Sequence, residues 1–179
     1  MRRDLPPNPV SGLHIGSISP TTQFLNARVH RLYDWWQACA QRHRELSDGE
    51  LPGGGLPHGG LARWQDFDIA EHAVLAPYIF VVETPADGAY RFRLLGEAVI
   101  GMIGRNIAGE LVQNRPSDDY GHDLYAYYAE IVRERECRMC RGTLDFVGFE
   151  HRHFEAIDCP TTDETGAITR IIGIMDYID

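Results

Sequence analysis

From residue 21 onward the apolar positions fall into periods that define one element after another. Leu25, Val29, Leu32, Trp36 and Ala40 recur at spacings of four, three, four and four, with Arg28, Arg31, Gln37, Gln41 and Arg44 on the other faces. That is the period of an amphipathic helix, predicted over residues 21–46, with Thr21 or Thr22 as its cap. Phe24, Tyr33 and Trp35 widen its apolar surface, and Ser47, Asp48, Gly49 and Pro52 end it. After a short helix ending near Leu75, residues 78–83 (YIFVVE) are apolar, β-branched and aromatic, which predicts a buried strand. Tyr90, Phe92 and Leu94 then alternate with Arg91 and Arg93, the two-residue period of a half-buried strand, and turn residues 84–88 make the pair a hairpin. Val99, Ile100, Met102 and Ile103 between Gly96 and Gly104 predict a short helix, and Leu124, Tyr128 and Ile131, with Tyr125 and Val132 alongside, a longer one over 119–135. Extended segments follow at 137–147, 152–159 and 168–178, separated by turns at Gly148 and Asp163 to Gly166.

The chain divides accordingly. Residues 1–20 mix Pro, Gly and Ser without a period and read as a flexible arm. Residues 21–48 are the amphipathic helix. Residues 49–62 are a Gly/Pro-rich connector, with six glycines and two prolines between Gly49 and Gly60, a composition no regular element tolerates. Residues 63–179 form the main α+β domain.

Composition narrows the function classes. With 44% hydrophobic and 24% charged residues the chain can bury a core. Its net charge of -9 disfavours a polyanionic partner such as nucleic acid or an anionic membrane surface. No run approaches the ~18 apolar residues of a membrane helix, and the N-terminus lacks a signal peptide's apolar stretch, so the expected location is cytoplasmic. Cys39, Cys137, Cys140 and Cys159 are too few for a disulfide framework. Cys137 and Cys140 form a CxxC pair ahead of His151 and His153, but residues three apart on a strand point to opposite faces, so no metal site is expected.

The order helix, two strands, helices, three strands is that of a PAS domain. Residues carry the likeness further: Tyr90-Arg91-Phe92-Arg93-Leu94-Leu95-Gly96, followed by Gly104-Arg105-Asn106-Ile107-Ala108-Gly109, resembles the "FRYRLVGT...GRDLTG" stretch of a bacterial PAS family whose members often stand alone at about this length. Leu32 to Trp36, Trp64 to Asp68 and Pro77 to Glu83 fall where that family has its helix tryptophan, its "DFDP" segment and its first strand. Asn106 replaces the family's Asp, Glu97 its Thr, and Ile69 the proline of DFDP. An amide oxygen at Asn106 can anchor the loop as a carboxylate would, without charge. Gly96, Gly104, Arg105, Asn106 and Gly109 are expected as scaffold, and their spacing fits neither a dinucleotide fingerprint nor a P-loop.

The resemblance implies a five-stranded antiparallel sheet with helices on one face, a small-molecule pocket between them, and a sensory role. Phe80, Phe92, Leu94, Ile100, Ile103, Tyr120, Tyr128 and Ile131 are the candidate walls for an apolar or aromatic ligand; the same residues would equally make a plain core. No cofactor is expected. The 96–109 region lacks the cysteine of flavin photosensors, and His122, at the start of the longer helix on which haem-binding members carry a histidine ligand, reads as a polar helix-start residue. PAS domains commonly pair through an N-terminal helix, so Leu25, Val29, Leu32, Trp36 and Ala40 are the candidate homodimer surface, with output passed to a separate signalling partner. Two alternatives stand beside this: a purely structural association module, and a small α+β enzyme using His151 and His153 with Glu150 and Glu155. No catalytic motif such as GxSxG or HExxH occurs.

Overall fold

Strand alternation sorts the apolar residues onto two faces of one sheet. In the computed structural model, which describes residues 14–48, 60–84, 88–112, 119–144 and 149–178, the strands are β1 (His14–Ser17), β2 (Ile79–Glu83), β3 (Arg91–Leu95), β4 (Arg138–Leu144), β5 (Phe149–Thr162) and β6 (Ile168–Tyr177). The helices are α1 (Ala27–Asp48), α2 (Glu97–Ile103) and α3 (Asp119–Glu134), with 3-10 turns at Trp64–Asp66 and Ala73–Tyr78. Sheet order is β1-β4-β5-β6-β2-β3, antiparallel throughout. The expected α+β arrangement, with helices entered after the hairpin β2–β3, is present. Residues 1–13 of the expected arm and 49–59 of the connector lie outside the described residues, as does the turn at Gly148.

One face takes Ile79, Val81, Ile157, Cys159, Ile172 and Ile174 from the strands and packs them against Val29, Leu32, Trp36 and Ala40 of α1. The other takes Phe80, Val82, Phe154, Ala156, Ile171 and Met175 and packs them against α2 and α3 through Val99, Met102, Tyr127, Tyr128 and Ile131. Successive residues of β2 and β6 therefore serve opposite layers, which is why these strands read as continuous apolar runs rather than alternating ones.

Three boundaries differ from expectation for physical reasons. The helix α1 begins at Ala27 rather than near Thr21, because Asn26 is its cap: Asn26 Oδ1 accepts from the N–H of Arg28 at 2.8 Å and of Val29 at 3.3 Å. The sheet has six strands, since His14–Ser17, inside the stretch expected as a flexible arm, pairs with β4 from Arg138 to Arg141. Thirdly, β3 carries an extra residue: Val82 pairs with Phe92 but Val81 with Leu94, leaving Arg93 bulged. A bulge turns the residues beyond it to the other face, so Leu94 leaves the α3 side.

Candidate functional site

The α3 face was expected to hold a pocket, and the described side chains on it pack against one another. Phe80, Tyr128 and Ile131 are buried there, with Phe92 and Ile103 partly buried against them. Tyr90 packs at 5.1 Å on Tyr125 and 5.7 Å on Tyr128, whose ring also meets Phe92 at 6.3 Å. Ile100 is half-buried on α2, and Leu94 is 47% exposed because of the bulge, so it is no wall of this compartment. The side chain of Tyr120, like those of His122 and His151, lies outside the described residues. Two surface grooves of about 700 and 680 Å³ lie at the N-terminal end of α1, beside Asn26 and Phe24, not under α3.

Within this aromatic compartment lies a polar centre that the sequence reading missed. Asp158 of β5 is fully enclosed; its Oδ2 accepts from the Tyr127 hydroxyl of α3 at 2.7 Å. Its Oδ1 has no hydrogen-bond partner among the described residues. Burial raises the Asp158 carboxyl to about 7, against a weaker opposing effect of the tyrosine bond. Burial and the neighbouring carboxylate in turn push the Tyr127 phenol well above its usual range. Next to Asp158 in register stands Arg138 of β4, whose guanidinium is held by Glu130 of α3 at 2.8 Å. A signal was available: Asp158 is a charged residue inside the apolar run Ala156, Ile157, Cys159, where an unpaired carboxylate is costly.

Glycines of the candidate motif act as scaffold. Gly96 admits no Cβ, which would lie 2.3 Å from the Pro77 carbonyl oxygen, and Gly104 ends α2 with φ 82°, as Gly109 closes the next turn with φ 90°. Asn106 Oδ1 accepts from the Ala108 N–H at 2.9 Å, the anchoring bond that an Asp would make, and Arg105 bonds Glu110.

The remaining candidates separate. Val29, Leu32 and Ala40 are fully buried and Trp36 is nearly so, all on the chain's own sheet, with Trp36 Nε1 donating to the Pro160 carbonyl at 2.7 Å. The stripe expected to pair two copies is thus spent within one chain, and Leu25, ahead of the helix, is exposed. Cys137 joins the α1 face and Cys140 the α3 face, so these two thiols do not converge. Burial pushes Cys140 up to about 12 and Cys137 well above its usual range. His153 is exposed, while Glu155 is completely buried and committed to the N–H groups of Leu25 and Asn26 and to Arg141. These two make no acid-base pair.

No protein-family model matches this chain, and no curated protein does. Among solved structures it is similar to the PAS domain of BvgS from Bordetella pertussis, at 20% identity and TM-score 0.47, over 62% of this chain and 85% of that one. A PAS domain from Colwellia psychrerythraea aligns at 15% identity and TM-score 0.40, over 62% and 97%. An RNA-binding light-oxygen-voltage receptor aligns at 14% identity and TM-score 0.48, over 96% of this chain and 40% of that one. In its own strand order and helix placement the chain has a PAS-like α+β fold.

Proposed function

We propose that this chain is a sensory module of PAS type, whose responsive site is the compartment between α3 and the sheet, and which passes its output to a signalling partner. The observation that carries the reading is Asp158 Oδ1: a fully enclosed carboxylate oxygen, without a partner among the described residues, in a layer otherwise built of aromatic and aliphatic groups. Such a group costs stability unless something besides packing retains it, and a hydrogen-bonding small molecule with an apolar or aromatic body is what this compartment's chemistry suits. Tyr90, Tyr125 and Tyr128 pack ring on ring there, and a ligand would enter as α3 shifts away from the sheet. A homodimer through α1 would require exposing Val29, Leu32 and Ala40, so pairing through that stripe is not part of this proposal.

Native mass spectrometry of the protein purified from its own host, compared with the denatured spectrum and joined to an absorption scan, tests the reading. A retained mass supports it and identifies the ligand class. A bare protein whose spectrum is unchanged by a library of small aromatic and hydrogen-bonding compounds would favour a pure association module.

A further inference from the structure

Asp158 occupies the middle of the α3 face, and the groups around it decide what its charge does. From α3 come Tyr127, Tyr128 and Glu130; from β4 come Arg138 and Cys140; β6 and β2 offer Gly173, Met175 and Phe80, none of which titrates. Cys137 and Cys159 lie on the opposite face. Arg138 is already engaged with Glu130 at 2.8 Å. Among the described residues a negative charge on Asp158 is therefore met by one donor, the Tyr127 hydroxyl at 2.7 Å, and its second oxygen by none.

We propose that Tyr127 and Asp158 form a proton-coupled latch, in which the neutral pair fastens α3 to the sheet and ionisation of Asp158 loosens it. The tyrosine oxygen lies 2.7 Å from Asp158 Oδ2 and 3.5 Å from the Arg138 carbonyl. With Asp158 neutral, the carboxyl proton on Oδ2 is donated to Tyr127 Oη, and the phenol proton turns to the Arg138 carbonyl, so one chain of bonds runs from β5 through α3 to β4. With Asp158 ionised, the carboxyl proton goes to water, the phenol turns back to Oδ2, and the bond to β4 is given up. The charged Oδ1 then lacks solvation, and lifting α3 to admit water relieves it. This device needs no ligand, and stands or falls separately from the sensory reading.

The test is hydrogen exchange of the α3 amides, corrected for intrinsic rates, in the full chain at about pH 5 and about pH 8. Wild-type protection is expected to fall about tenfold or more across that range, and in Asp158→Asn to stay level. Equal pH dependence in both overturns the latch. Should Asp158→Asn not fold, carbon-detected titration of the wild-type Asp158 carboxyl decides: a midpoint in the ordinary range near ~4 overturns it, and a raised midpoint that coincides with the loss of α3 protection supports it.

Discussion

The ring of Phe80 on β2 lies across Gly173 of β6, so closely that a Cβ at residue 173 would stand 2.2 Å from Phe80 Cζ and 2.6 Å from Cε2. The two residues are register partners, and Gly173 also pairs with Asp158 on its other side. A missing side chain in the centre of the sheet is what lets an aromatic ring sit beside the buried carboxyl.

Gly173→Ala therefore forces the Phe80 ring or the strand to move. Overpacking of this kind costs about 1–3 kcal/mol, read as a lower urea midpoint with an unchanged slope. Phe80→Leu combined with Gly173→Ala should lose less than the sum of the two single changes, since each relieves the other; simple additivity would show that the ring contact is not the cause.

Glu155 is the second buried carboxylate of β5, and unlike Asp158 it is well supplied. Its oxygens accept from the N–H of Leu25 at 3.1 Å and of Asn26 at 2.8 Å, and from Arg141 Nε at 2.7 Å. Asp176 beside it binds Asn26 Nδ2 at 2.8 Å and Arg28 at 2.7 Å. Together they fix the chain as it enters α1. Glu155→Ala leaves Arg141 and two amides without their acceptor and should cost about 3 kcal/mol or more, while Glu155→Gln, which keeps an acceptor oxygen, should cost less. Chemical denaturation of both variants checks the ranking; equal losses would mean that the carboxylate charge, not its lone pairs, holds the segment.

What could be read from the sequence was whatever depends on neighbours along the chain. The period of Val29, Leu32, Trp36 and Ala40 set the apolar face of α1, and the apolar run at β2 marked a buried strand, though the centre of the six-stranded sheet is β5 and β6. Its true start could not be read, because Asn26 is chosen as cap over Thr21 or Thr22 by Glu155 and Asp176, about 130 to 150 residues away. Leu94 was misplaced for a related reason: alternation assumes an unbroken register, and the bulge at Arg93 is a property of pairing with β2. β1 contributes four residues with one large apolar side chain, Ile15, too weak a period to see. Tyr127 and Asp158 were hidden because helix and strand periods mark both as inward without saying that they meet.

Trp36 gives a direct probe of the α1 layer. Its Nε1 donates to the Pro160 carbonyl at 2.7 Å in a buried setting. Trp36→Phe keeps most of the packing and strands that carbonyl, at a cost of about 1–3 kcal/mol. A variant as stable as wild type would mean that the carbonyl finds another donor.

Asp158 also sets a pH dependence whose sign runs against the usual acid unfolding of proteins. Its carboxyl is raised from 3.8 to about 7 by burial, so between those values the folded chain holds a proton that the unfolded chain has released. Stability then falls as pH rises through this window, by an amount on the order of a few kcal/mol when the shift is converted, and above it the penalty is constant. Asp163, lowered by its bonds to Thr165 and to backbone N–H groups, acts in the opposite sense at the acid end, where its contribution is lost as pH drops below ~4. Thermal midpoints of wild type and Asp158→Asn, measured from about pH 5 to about pH 8, separate the two. The wild-type midpoint should decline with rising pH while that of Asp158→Asn stays near level, so the variant gains most at the alkaline end, where an uncharged amide replaces an enclosed carboxylate. Parallel curves would mean that water reaches Oδ1 and that the carboxyl titrates as an ordinary one.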